Sequence, residues 1–202
     1  MGAIARPEAS ADVWQVQRDL RDVSLLQRRP RRHSERMSSL QLRPAVRGLV
    51  MDHEDHVLMV RLVFPHGAFW VLPGGGIDEG EDHMEALHRE LLEETGLVDA
   101  TIGSPVWKRT HHFQLIESNG TEWRGQTETV YMVRTERFTP APSFSEEELR
   151  AENLHEHRWW SLADMLAYEG DDNFTPRDIA SYLHVIVNEG IPAVPFEIEH
   201  SS

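Results

Sequence analysis

The stretch from Gly74 to Leu97, GGGIDEGEDHMEALHRELLEETGL, constrains this chain more than any other. Its three leading glycines permit a tight turn and a close backbone approach that a Cβ would block. Asp82 to Thr95 then reads as a helix, and Gly96 is the residue type that commonly ends one. At about 100° per residue, Met84, Leu87, Leu91 and Thr95 share one stripe, the core side. Glu90, Glu93 and Glu94 fan out beside it at i, i+3 and i+4, so three carboxylates converge. Glu81 reaches toward the same side from the preceding loop, and only Arg89 and the two histidines stand among the acids. Carboxylates gathered this way repel one another unless something positive sits between them. Oxygen ligands without cysteine suit Mg²⁺ or Mn²⁺. The free N–H groups of a glycine-led helix N-terminus favour phosphate. A bare E-x-x-E-E also occurs on ordinary solvated helices, so the spacing alone leaves both readings open.

Composition narrows the classes. The chain of 202 residues holds no cysteine, which removes disulfides, thiolate metal sites and cysteine nucleophiles. Formal net charge is -14, which argues against nucleic acid as a partner. The charge is uneven: Met1 to Arg36 has eight arginines against five acids, leaving 12 basic against 29 acidic residues in the rest. A surface so acidic needs a divalent cation to bring in an anionic substrate. No apolar run approaches bilayer-spanning length and no secretory signal opens the chain, so no membrane partner and a cytoplasmic location are expected.

Three segments are expected: an N-terminal arm over 1–41, a working domain over 42–190 and a C-terminal tail over 191–202. Val13, Val16, Leu20 and Val23 stand at helical spacing in the arm, before the charged run RRPRRHSER. Met37 is a candidate natural start. AVRGLVM and HVLMVRLVF read as a hairpin across DHEDH, and AFWVLP as a third strand. TIGSPVWKRTHHFQLIE and RGQTETVYMVRTERF read as long strands joined at the Asn-Gly turn of SNGTE. Pro140 to Glu156 is an acidic loop or short helix, HRWWSL a last strand, and Ser161 an N-cap. A final helix is expected with Thr175 as N-cap, Pro176 at its first position and Gly190 past its end. The order makes an α/β fold, a mixed sheet flanked by helices.

The pattern Gly75, five residues, Glu81, seven residues, then RELLEETGL from Arg89 to Leu97 resembles the signature of the Nudix hydrolases with every fixed position filled. RPAVRGLVMD, VLMVR, FWVLPGGG and HRWWSL extend the likeness over about Leu42 to Val187. The resemblance implies an α/β/α sandwich and Mg²⁺- or Mn²⁺-dependent cleavage of the diphosphate linkage in a nucleoside diphosphate joined to another group. By matching positions, Glu90, Glu93 and Glu94 would hold metal with Glu81 and the Gly75 carbonyl assisting. Arg89 would hold a glutamate in place, and Gly75 and Gly76 would approach the ligand. The motifs that mark ADP-ribose, dinucleoside polyphosphate, NADH and coenzyme A hydrolases in the family are absent, which leaves nucleoside triphosphates and nucleotide sugars as the substrates expected.

The water-activating base is expected outside the signature. Glu152, in the acidic loop before the last strand, is the first choice, with Glu128 and Glu148 as alternatives. Trp70, Trp107, Phe113, Trp123, Trp159 and Trp160 are candidates to stack a base, each read first as core. Trp159 and Trp160 are strand neighbours and cannot both face inward, and His111 and His112 point apart for the same reason. A non-catalytic nucleotide sensor of the same fold stands as the second reading, against which the complete acid set argues. A homodimer is compatible with either.

Overall fold

In the computed structural model, residues 42–113, 115–116 and 120–200 are described. The arm of residues 1–41 and Ser118 and Asn119 of the SNGTE turn lie outside them. In chain order the elements are β1 (Arg43–Met51), β2 (Val57–Phe64), β3 (Gly67–Val71), α1 (His83–Thr95), β4 (Ile102–His111), β5 (Leu115–Ile116), β6 (Glu122–Trp123), β7 (Gln126–Arg134), α2 (Glu146–Ala151), β8 (Leu154–Trp160), α3 (Leu162–Leu166), β9 (Asn173–Thr175), α4 (Ile179–Glu189) and β10 (Phe196–His200). The main sheet runs β10-β4-β7-β1-β2-β3-β9, with β8 pairing on β2. It is mixed: β1 with β7, β3 with β9 and β10 with β4 are parallel, and the remaining pairs antiparallel.

Strand alternation sorts the core into two faces. Val46, Val50, Leu58 and Val133 pack against Ala86, Leu87 and Leu91 of α1. Leu49, Met51, Trp70, Trp107, Val130, Met132 and Trp160 pack against Met165 of α3 and Leu183 and Ile186 of α4. The result is the expected sandwich, helix on sheet on helix. Leu87 and Leu91 are fully buried, each contributing about 1.5–3 kcal/mol relative to exposure. α1 approaches β1 closely because Gly48 lacks a side chain: a Cβ there would sit 3.1 Å from Leu91 Cδ2.

The final helix departs from expectation at its start. Thr175 ends β9, paired beside Val71, and the helix begins at Ile179 behind Asp178. An edge strand claims the threonine that local preference assigned to a cap. The long strand after α1 divides into β4 and β5. Within the segment expected as a tail, Phe196–His200 pairs with Trp107–His111.

Candidate functional site

α1 is set at both ends by its sequence. Asp82 accepts from Met84 N–H and Glu85 N–H, while Glu85 returns a bond to Asp82 N–H at 2.9 Å. This reciprocal capping satisfies orphan donors of the first turn. At the other end Gly96 takes a left-handed φ of 75°. The last carbonyls all find donors. Leu92 O accepts from Gly96 and Ser143 N–H, Glu93 O from Phe144 N–H and Thr95 O from Ala141 N–H. Glu94 O pairs with His157 Nε2 at 2.6 Å. The segment that leads into α2 is thus fastened to the end of α1.

The fan of acids is real, and a single arginine gathers most of it. Arg89 donates Nε and Nη2 to the two oxygens of Glu81, each at 2.8 Å. Its Nη1 reaches Glu90 Oε1 at 2.8 Å and Glu93 Oε2 at 3.1 Å, and Nη2 reaches Gly76 O at 3.0 Å. The sequence assigned Arg89 one glutamate; it holds three and a loop carbonyl. These hydrogen bonds keep the Glu81 carboxyl down at about 2 and raise the Arg89 value further above its ordinary one.

Glu94 differs from its neighbours. It is 8% exposed, and its one side-chain hydrogen bond among the described residues comes from Gly74 N–H at 2.8 Å. Burial, then the charge of Glu90, pushes its carboxyl up to about 8. Burial also raises Glu90, with Arg89 opposing. The backbone of Gly75 lies directly against Glu90: a Cβ there would meet the carboxylate at 2.6–2.8 Å. Gly75 O accepts from Val46 N–H at 2.9 Å, which leaves it one lone pair. A nest of oxygen donors, with Glu94 buried, Glu90 half-buried and both raised, fits a hard divalent cation. Glu90, Glu93, Glu94, Glu81 and the Gly75 carbonyl are the groups that could hold it.

The three candidate bases have different surroundings. Glu128 is 2% exposed, and its oxygens accept from Arg47 Nε at 2.9 Å, Gln126 Nε2 at 3.1 Å and Arg109 Nη1 at 3.3 Å. Burial works against its charge, but Arg47 and Arg109 outweigh it and hold the carboxyl below the usual range. Glu148 closes the capping box of α2, accepting from Ser145 N–H and Oγ at 2.8 Å. Glu152 is exposed at the C-cap of α2, and its charge acts on Glu94.

Trp70, Trp107 and Trp160 are buried core residues. Trp159 faces the other way, its Nε1 donating to Phe138 O at 2.9 Å, as strand alternation requires. Phe113 and Trp123 are half-buried. His111 is half-buried against Phe113 and His112 is exposed, and neither hydrogen-bonds to a signature glutamate among the described residues. Two residues beside the site escaped the sequence: His157 and Arg47. Arg47 left a signal, a charge inside the apolar run AVRGLVM.

Comparison with known proteins agrees with this geometry. The NUDIX domain model matches residues 41–179. Nudix hydrolase 25 of Arabidopsis thaliana is 41% identical over 101 residues, covering 46% of this chain and 56% of that one. An RNA pyrophosphohydrolase of Helicobacter pylori is 37% identical over 98 residues, covering 46% of this chain and 63% of that one. The chain therefore spans between 56% and 63% of the length of these two relatives. A MutT protein structure from Methanosarcina mazei Go1 superimposes with a TM-score of 0.51 at 18% identity, covering 75% of this chain and 97% of that one. The NUDIX domain of Shewanella oneidensis NrtR, solved with ADP ribose, gives 0.53 at 20% identity, covering 78% and 95%. At those identities the likeness concerns the fold alone. With a family model matched across the sheet, α1 and the glutamate fan, the chain belongs to the Nudix domain family.

Proposed function

We propose that this chain is a Mg²⁺- or Mn²⁺-dependent pyrophosphohydrolase that cleaves the diphosphate linkage of a nucleoside diphosphate joined to another group. The observation that carries the reading is Glu94: a buried carboxylate beside a second acid, with one side-chain hydrogen bond and no ion pair among the described residues. Such a group is held at a cost unless a cation joins it. Glu90, Glu93 and Glu94 would hold the cation, with Glu81 and the Gly75 carbonyl assisting. A bound divalent ion would supply positive charge against the diphosphate oxygens. Arg89 holds Glu81, Glu90 and Glu93 in register before substrate arrives, so their order need not be created at the moment of reaction. Glu152 takes a proton from the attacking water, whose oxygen bonds to phosphorus as the bridging P–O bond breaks. Glu128 and Glu148 have their acceptors occupied elsewhere, which favours Glu152.

Nucleoside triphosphates and nucleotide sugars remain the substrates the sequence favours. The relatives named RNA pyrophosphohydrolase add the 5′-polyphosphate end of an RNA. An acidic protein can act on such an end without gripping a long backbone. The test incubates the full chain with nucleoside triphosphates, nucleotide sugars and a 5′-triphosphorylated oligoribonucleotide, with Mg²⁺ or a chelator. Metal-dependent release of phosphate or pyrophosphate is expected from at least one. Binding by calorimetry with no product from any would assign the chain to a nucleotide sensor instead.

A further inference from the structure

The run from Leu72 to Gly76 leads toward α1 with five consecutive carbonyls, and each has a donor. Gly48 N–H donates to Pro73 O and Val46 N–H to Gly75 O, both at 2.9 Å, as a neighbouring strand would. Gly76 O accepts from Arg89. The other two, Leu72 O and Gly74 O, accept from a single nitrogen, Arg47 Nη1, at 2.7 and 2.8 Å. Arg47 Nε donates in turn to Glu128 Oε2 at 2.9 Å. Gly74 N–H then donates to Glu94 Oε2 at 2.8 Å. Arg47 on β1, paired with Glu128 on β7, therefore holds the carbonyls of the two peptides that flank Pro73–Gly74, the peptide whose N–H reaches Glu94 on α1.

An Arg–Glu pair at the edge of an apolar sheet face does not stabilise a fold as such; apolar side chains of similar volume commonly do as well or better. On the same face the neighbours on one side, Leu49, Met51, Val130 and Met132, are apolar, while Gln126 and Arg109 adjoin Glu128 on the other. Arg47 does something they could not: it fixes two loop carbonyls. The loop has no slack to absorb its loss. Gly74 has a φ of +130°, and a Cβ there would lie 2.4 Å from Val46 O and 2.7 Å from Arg47 Cα. Lysine would not substitute, since one ammonium lacks the planar fork that spans two carbonyls and a carboxylate together.

We infer that Arg47, braced by Glu128, is a positioning residue for the cation site: it locks the Leu72–Gly74 peptides so that Gly74 N–H aims one oxygen of Glu94 and leaves the other turned toward the cation. The inference rests on the metal-site reading above. It assigns Glu128 a bracing role in place of proton transfer.

The experiment compares the full chain with Arg47→Lys and Glu128→Gln. Mn²⁺ binding is read by electron paramagnetic resonance with the metal alone, Gly74 amide exchange by NMR without metal, and kcat and KM on whichever nucleotide is turned over. Arg47→Lys is expected to weaken Mn²⁺ binding by about 10–100-fold, the range for residues that orient metal ligands. It should also speed Gly74 exchange and lower kcat while nucleotide KM stays within about threefold. Glu128→Gln keeps an acceptor for Arg47 and should show the same changes at smaller size, which preserves the test if Arg47→Lys does not fold. Wild-type Mn²⁺ affinity and Gly74 exchange in either folded variant, whatever its melting temperature, would overturn the inference. Failure of the unaltered chain to bind Mn²⁺ would instead overturn the metal-site reading, and Gly74 exchange would still decide the positioning.

Discussion

Two groups of acids in this protein look alike in composition and behave in opposite ways. At the β1–β2 turn, Asp52, Glu54 and His56 bring ligand atoms within 4.8 Å of one another. Asp52 is 2% exposed, yet every demand of its charge is met. Oδ1 accepts from Glu54 and His56 N–H at 2.8 and 2.9 Å, and Oδ2 accepts from Arg137 Nε at 2.6 Å. Burial opposes its ionisation, but those bonds prevail and its carboxyl falls below the usual range. Glu94 on α1 is nearly as buried, holds one bond, and is pushed up to about 8. Asp52 has both oxygens filled by donors of the protein, whereas Glu94 holds one donor among the described residues. Proximity of acids does not separate Asp52 from Glu94; the number of donors that each carboxylate already holds does.

Substitution should separate them most sharply in turnover. Glu93→Gln and Glu94→Gln remove a charge with little change of shape. Each should lower kcat by about a hundredfold or more, since losing metal-held charge costs several kcal/mol in the transition state. Glu152→Gln should lower kcat by about 10²–10⁴, the contribution of a general base, with Mn²⁺ affinity nearly unchanged. Asp52→Asn should leave kcat per folded molecule at the wild-type level. Steady-state kinetics on all four decides this, and a catalytic loss in Asp52→Asn would move the metal site to the turn.

Most of the site was legible because it is local in sequence. The spacing of Glu90, Glu93 and Glu94, the caps at Asp82 and Gly96, and the stripe of Leu87 and Leu91 all lie within one helix, where period and capping chemistry are read directly. The segments that were misread depend on distant partners. Thr175 and Pro176 look like a helix start until β3 pairs with Asn173–Thr175. Phe196–His200 looks like a tail until β4 offers its edge. Arg47 makes its bonds to residues 25, 27 and 81 positions away, beyond the reach of any local pattern.

Stability should split the two clusters by ligand. Mg²⁺ at about a hundred times its dissociation constant should stabilise the wild-type fold by about 2.7 kcal/mol. The same addition should do almost nothing for Glu94→Gln if Glu94 is a principal ligand. Asp52→Asn should cost about 1–2 kcal/mol with or without Mg²⁺, the scale of a charge-assisted hydrogen bond to a half-exposed arginine. Urea unfolding of the three proteins, with Mg²⁺ and with chelator, measures both. An Mg²⁺ response abolished by Asp52→Asn and kept in Glu94→Gln would reverse the assignment.

In pH the two clusters should act in opposite windows. The raised Glu94 value of about 8 lies above the ~4.3 expected for an unfolded glutamate. Between those values the metal-free native state binds the extra proton, so this group's contribution to stability falls as pH rises from about 4.3 toward 8. A bound cation requires the ionised carboxylate, so Mg²⁺ should remove that slope and release a proton on binding below about pH 8. Asp52 has the reverse sign. Its depressed carboxyl stabilises the fold above about pH 3.9, and that contribution is lost only as pH falls through the folded value. Many other groups titrate in both windows, so the quantity to measure is a difference. Unfolding free energies of wild type minus Glu94→Gln, taken from pH 5 to 8 with chelator, should decline with pH and become flat or rising with Mg²⁺. Wild type minus Asp52→Asn should be flat over the same range. A flat metal-free difference for Glu94 would mean that its carboxylate is already satisfied within the protein, and the contrast with Asp52 would disappear.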